Sequence, residues 1–438
     1  MLAAVATPAA AKPAAAKASP QRAARALAAG LAPKVGPVSA SCRRRTGRGR
    51  RLRFSCRWRS PRGCRGRHVV VPRRRVLGPR RRRWRIARGS SHCPPASQPP
   101  ASQPPASQPP PRRPLFGLND NAVVRGQASA ADDAQLNAGL GVDVVRVTVD
   151  WRWAERQPDD YRLAHYDAIY AESLARGIRP VWIPLFAPSW AIDPSTPCNQ
   201  WLRDCRHPPG PAFDGEYAQF AALLASRYPQ SAAIEIWNEP NIRYFWRPDP
   251  DPARYAALLK ASYAAVKRAN PSMTVAGGAL GDDPDWSNAV PFQPYARALY
   301  AEGARGHMDV FSFHPYPHIP GHVDRTLAEA RTERARAGDE ETPLWVTETG
   351  WSTSGAGDPH WPVSWVVSEQ EQADRLVALH RKLMAEPDVE AVMFHTLIEP
   401  EGDPSASAGP GYGIVRGDLS PKPAYCALAA ERLGAAPC

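Results

Sequence analysis

The chain has 438 residues and a formal net charge of +14 that is unevenly spread. Residues 1–113 hold 28 of the 56 Lys and Arg and no acid, whereas residues 114–438 hold all 42 acids against the other 28, so a segment of +28 precedes one of −14. No run of 18 apolar residues occurs, which excludes a membrane-spanning helix, and a single isoelectric point describes neither part.

In chain order, residues 1–40 are rich in Ala and Pro, 43–88 are dominated by Arg, and 96–110 repeat ASQPP three times. Too few apolar side chains occur here to offset the entropy of ordering the chain, so 1–113 reads as a disordered tail ending in an extended, polyproline-like spacer. The Arg-rich part admits three readings. It is a binder of polyanions, an export region without the usual apolar core, or non-coding sequence read from a start placed too far upstream. Cys42, Cys56, Cys64 and Cys93 lie in it without metal-ligand spacing.

From residue 114 short β-branched runs alternate with Ala/Leu/Arg helical patterns, the signature of βα units around a parallel sheet. Strands are predicted at 115–119, 142–150, 178–186, 232–238, 273–280, 309–316, 343–350 and 391–398. Helices are predicted between them at 160–176, 213–228, 252–269, 293–303, 323–337 and 368–385. Eight strands in about 325 residues suit a (β/α)₈ barrel, whose chemistry sits at the strands' C-terminal ends. In the second strand Val145, Val147 and Val149 share the face turned to the helices, while Arg146, Thr148 and Asp150 share the inner one. No glycine-rich phosphate loop follows the first strand, and that argues against an open nucleotide-binding sheet.

Two predicted strands end in carboxylates. IEIWNEPN, 234–241, closes the fourth with Glu239, and LWVTETGW, 344–351, closes the seventh with Glu348. In an eight-stranded barrel these ends face each other across the mouth. Carboxyl groups about 5–5.5 Å apart serve a retaining glycosidase, whereas about 6.5–9.5 Å serves an inverting one; sequence leaves that distance open. Glu235 shares the parity of Glu239 and reads as a structural ion-pair partner lower in the barrel. Asp150 reads equally as a ligand contact or a cap for the following turn.

WNEPN followed by FW at 245–246, together with TETGW after the seventh strand, resembles the clan A glycoside hydrolases, most closely cellulase-like and family 39-like members. The resemblance covers about 114–438. It implies that Glu239 is the acid/base and Glu348 the nucleophile. It also implies that Asn238 holds the substrate's 2-hydroxyl, that Arg146 keeps Glu348 ionised, and that His314 and Tyr316 flank the nucleophile. Clan members commonly end the eighth strand in a tryptophan beneath the sugar; here VMFHTLIEP puts Phe394 or His395 in that place.

Twelve tryptophans fall beyond the tail, and indole faces suit the C–H faces of sugars. Trp190 and Trp351 are the foremost subsite candidates, with Trp151 beside them, whereas Trp182 and Trp345 are assigned to packing. The spacings of Cys198 with Cys205 and of Cys426 with Cys438 permit two local disulfides, which would suit a secreted or cell-envelope protein; the alternative is four free thiols in a cytoplasmic enzyme. No metal-ligand spacing and no GxSxG elbow occur, and the expected chemistry needs no cofactor. The sequence thus predicts a monomeric hydrolase of β-linked oligo- or polysaccharides. Its rivals are a catalytically silent carbohydrate-binding barrel and a polyanion binder acting through the tail. No nucleic-acid partner is expected for the barrel itself.

Overall fold

The computed structural model describes Leu27, four strands between residues 39 and 92, and residues 113–438 except 194–205, 283–288, 318, 355–365, 401–410 and 435–437. The chain divides into two compact units, Met1–Gln108 and Pro109–Cys438. In the first unit the strands Ser39–Arg45, Arg53–Arg59, Arg65–Pro72 and Trp84–His92 pair antiparallel in chain order. Phe54, Trp58 and Val70 are buried there and a Cys42–Cys56 disulfide joins the first two strands, while Arg43, Arg57 and Arg67 face solvent.

The second unit is the closed barrel. Its strands are β1 (Leu115–Asn119), β2 (Val144–Asp150), β3 (Arg179–Leu185), β4 (Ala233–Glu235), β5 (Thr274–Gly281), β6 (Val310–His314), β7 (Leu344–Val346) and β8 (Val389–His395). All neighbours are parallel, and β8 pairs with β1 to close the ring. Every predicted strand and helix has its counterpart, with ends shifted by a few residues.

Strand alternation divides the core. Val145, Val147 and Val149 pack outward in the large cluster beneath the helices, with Trp182, Phe116 and Phe394. Val144, Val181, Ala233, Ala276, Val310, Trp345, Ala391 and Met393 form a separate cluster inside the ring. These positions share parity with Arg146, Glu235, His314 and His395 on their own strands. An apolar plug therefore fills the lower barrel and a polar layer lies above it, towards the C-terminal ends.

Asp150 is resolved in favour of the cap. Its carboxylate accepts from Arg152 N–H at the start of the short helix Trp151–Ala154 and also pairs with the Arg152 guanidinium. The predicted Cys426–Cys438 bridge is present with an S–S distance of 2.04 Å; Cys198 and Cys205 lie outside the described residues. No helix among the described residues is long and apolar enough to cross a membrane.

Candidate active site

Arg146 organises the polar layer. It is 1% exposed, and its fork reaches four acceptors: Glu235 Oε2 at 2.5 Å, Glu348 Oε1 at 2.5 Å, Asn119 Oδ1 at 2.6 Å and Asn238 Oδ1 at 2.8 Å. A lysine has no planar fork to join strands 1, 2, 4 and 7 in this way. Glu235, 0% exposed, is the ion-pair partner that its parity predicted. Asn119 was not singled out from sequence, yet it holds both Arg146 and the Thr347 carbonyl. Its place at the end of the first predicted strand was the available signal.

Glu239 does not continue the alternation of β4. The strand ends at Glu235, and Trp237 and Glu239 adopt left-handed backbone at φ +70° and +43°. Such residues cost free energy and persist where surrounding contacts hold them. Here Glu239 N–H bonds to Ala279 O at 2.9 Å, and its carbonyl accepts from Ile242 N–H. Gly281 makes room for the carboxyl group, since a Cβ there would lie 2.9 Å from Glu239 Oε1.

The two carboxylates converge. Oxygens of Glu239 and Glu348 and a ring nitrogen of His314 all lie within 4.8 Å of one another. His314 Nδ1 shares a 2.8 Å hydrogen bond with Glu239 Oε1, and Nε2 lies 3.1 Å from Thr347 Oγ1. Tyr316 donates its hydroxyl to Glu348 Oε2 at 2.8 Å. Among the described residues this trio is also the one group of ligand-type side chains close enough to share a cation. Arg146 and Tyr316 already engage both Glu348 oxygens, and the guanidinium opposes a second positive charge.

Their electrostatics diverge. Burial pushes the Glu239 pKa up, the neighbouring Glu348 charge adds to this, and contacts with His314 only partly offset it. Burial also pushes Glu348 up, but His314, Arg146, His395 and the Tyr316 hydroxyl together outweigh it and hold the group at about 2. One carboxyl is thus held towards its acid form and the other as an anion, the division that acid/base and nucleophilic roles require.

The aromatic expectations fare unevenly. Trp151 is corrected: it is 0% exposed, stacked on Phe220 and edged by Trp190 and Tyr217, with its N–H on Glu155, so no face is open to a sugar. Trp190 is half-buried against Trp151 and Phe213, its N–H on the Glu155 carbonyl. Trp351 is 9% exposed, with its carbonyl bound by Gln372. Trp153, which carried no special assignment, is the tryptophan most exposed among the described residues, at 46%, with the Arg156 guanidinium over its ring. At the end of β8, Phe394 turns outward against Phe116, so His395 is the residue that faces the site.

No protein-family model matches this chain. Its structural neighbours include glycoside hydrolases of families 39 and 5. A family 39 glycoside hydrolase from Bacteroides cellulosilyticus is 19% identical, with a TM-score of 0.56 over 90% of this chain and 76% of that one. A family 39 β-xylosidase from Caulobacter crescentus is 21% identical, with a TM-score of 0.53 over 74% and 72%. GH5_18 from Streptomyces cattleya, solved with GlcNAc, is 21% identical, with a TM-score of 0.54 over 73% and 80%. At these identities the likeness is one of fold.

Proposed function

We propose that the barrel is a retaining glycoside hydrolase acting on β-linked glycans through Glu239 and Glu348. The observation that carries this reading is the pair of converging carboxyl groups with pKa values driven apart. One oxygen of each carboxylate lies within 4.8 Å of the other, which supports the separation of about 5–5.5 Å used for retention over the gap of about 6.5–9.5 Å used for inversion. Glu348 attacks the anomeric carbon while Glu239 gives its proton to the leaving oxygen. Glu239, now a base, then takes a proton from the water that releases the sugar. Arg146 orients Asn238, and we assign Asn238 to the substrate 2-hydroxyl, a contact that tightens as the oxocarbenium-like transition state forms. The Cys426–Cys438 disulfide supports a secreted or cell-envelope setting.

The test is a panel of aryl β-glycosides and β-glycans with the product followed by NMR. The β-anomer is expected first; first release of the α-anomer, or binding without any turnover, would reject the proposal.

The pH profile follows from the two shifts. Glu348 must be ionised, and with its pKa at about 2 it stays so down to strongly acidic solution. Glu239 must be protonated, and its raised pKa carries the acid form above the ordinary carboxylate range of about 4.3. Activity is therefore expected to fall on the alkaline side as Glu239 loses its proton. In Glu239→Ala, assayed with a leaving group that needs no protonation, that alkaline limb should disappear from kcat/KM. Its persistence would assign the titration to another group.

A further inference from the structure

We propose that His322, held by Asp282, is a positioning residue for the nucleophile: it binds the Tyr316 carbonyl and so fixes the place from which the tyrosine hydroxyl reaches Glu348. This deepens the glycosidase reading and rests on it.

Tyr316 needs a support because no strand supplies one. β6 ends at His314, so Tyr316 stands two residues beyond the last ladder position, and Pro315 between them has no N–H to donate. Its hydroxyl nevertheless donates to Glu348 Oε2 at 2.8 Å. Burial, and after it the Glu348 charge, push the phenol pKa well above its usual value, so the group remains a donor. Such a contact holds only if the backbone beneath it is fixed. Tyr316 N–H bonds back to the His314 carbonyl at 3.1 Å, and Thr349 Oγ1 donates to the Pro315 carbonyl at 2.9 Å. On the other side of the Tyr316 Cα, the carbonyl accepts from His322 Nδ1 at 2.9 Å. That bond sets the second peptide plane and with it the direction of the side chain.

His322 is itself fixed from behind. It is the first residue of the helix His322–Ala337, and its side chain is fully buried. Nε2 lies 2.8 Å from Asp282 Oδ2, an ion-pair contact bent away from hydrogen-bond geometry. Asp282 directly follows Gly281, the last residue of β5, and its N–H reaches the His314 carbonyl at 3.4 Å. Its carboxylate also accepts the hydroxyl of Thr326, one turn further along the helix. Burial pushes the Asp282 pKa up, but contacts with His322, Thr326 and Arg325 outweigh it and hold the group below its usual range. The imidazole is thus clamped between a strand-end carboxylate and the Tyr316 carbonyl. Neither catalytic carboxylate is among these contacts, so its route to the chemistry runs through Tyr316.

The test is a double-mutant cycle in the full-length protein on an activated aryl β-glycoside, reading kcat and KM separately for His322→Ala, Tyr316→Phe and the pair. Tyr316→Phe removes a hydrogen bond to a charged group and is expected to lower kcat/KM about tenfold to a hundredfold, mostly in kcat. His322→Ala should lower it about tenfold, and the pair should be no worse than Tyr316→Phe alone, because two residues acting through one contact are not additive. A merely structural loss would add. His322→Asn, whose amide nitrogen takes the place of Nδ1, should recover most of the rate. Asp282→Asn loosens the clamp from behind; its smaller loss should likewise vanish beside Tyr316→Phe, and it completes the cycle if His322→Ala does not fold. Losses that add in either cycle, or unaltered kcat/KM in the variants that fold, overturn this inference alone. A wild type that cleaves no aryl β-glycoside overturns it together with the glycosidase reading.

Discussion

Glu348→Ala is expected to lose at least about three orders of magnitude in kcat on an activated aryl β-glycoside, the scale at which a nucleophile's removal is felt. The substitution leaves Arg146 and Tyr316 aimed at an empty space beside the anomeric carbon. That space should accept a small anion, and azide is predicted to restore turnover by forming the inverted α-glycosyl azide. Glu239→Ala separates the second role. With a good leaving group the first step needs little protonation, so sugar transfer to the enzyme should survive while its release by water slows. Azide should then yield the β-glycosyl azide, having replaced water in the second step. Full activity of Glu348→Ala would end the two-carboxylate mechanism, and identical azide products from both variants would end the assignment of roles.

Arg146→Leu is expected to destabilise the barrel by about 3–5 kcal/mol, because it leaves Glu235 as a fully buried carboxylate without its cation. Two further effects follow from the same guanidinium. Asn119 and Asn238 lose the donor that orients their carbonyl oxygens, and Glu348 loses one of the charges that lower its pKa. The variant's activity should therefore require higher pH to ionise the nucleophile, a shift that loss of fold alone does not produce. Adding Glu235→Gln should recover part of the stability, since the uncompensated charge is removed, without recovering activity. Denaturant midpoints followed by tryptophan fluorescence decide the first point and kcat/KM against pH the second. An Arg146→Leu midpoint near that of wild type would mean that Glu235 is not held as an anion by this contact.

Much of this was legible in the sequence because it depends on local pattern. Alternation in 142–150 separates helix-facing valines from inward polar residues, and eight such runs with intervening helices specify a ring of parallel strands. WNEP and TETG mark the strand ends where carboxylates stand, and the parity of Glu235 suffices to place it inside. The inward placement of Arg146 was likewise readable, since each of these statements concerns residues a few positions apart on one element.

What the sequence left open concerns groups brought together from distant segments. Parity would have carried Glu239 on from Glu235, but the strand stops there, and contacts to β5 with a missing Cβ at Gly281 position the carboxyl group instead. Trp151 lies at a strand end like any subsite tryptophan; only the helix bearing Tyr217 and Phe220 decides that it is buried. The choice between Phe394 and His395 rests on which one the closed ring turns inward. The sequence alone determined the barrel, its two acidic strand ends and the charge contrast with the tail. Only the tertiary structure decided the carboxylate spacing, the opposed pKa shifts and the contact of His322 with Tyr316, because distance and desolvation depend on every segment that packs around the site.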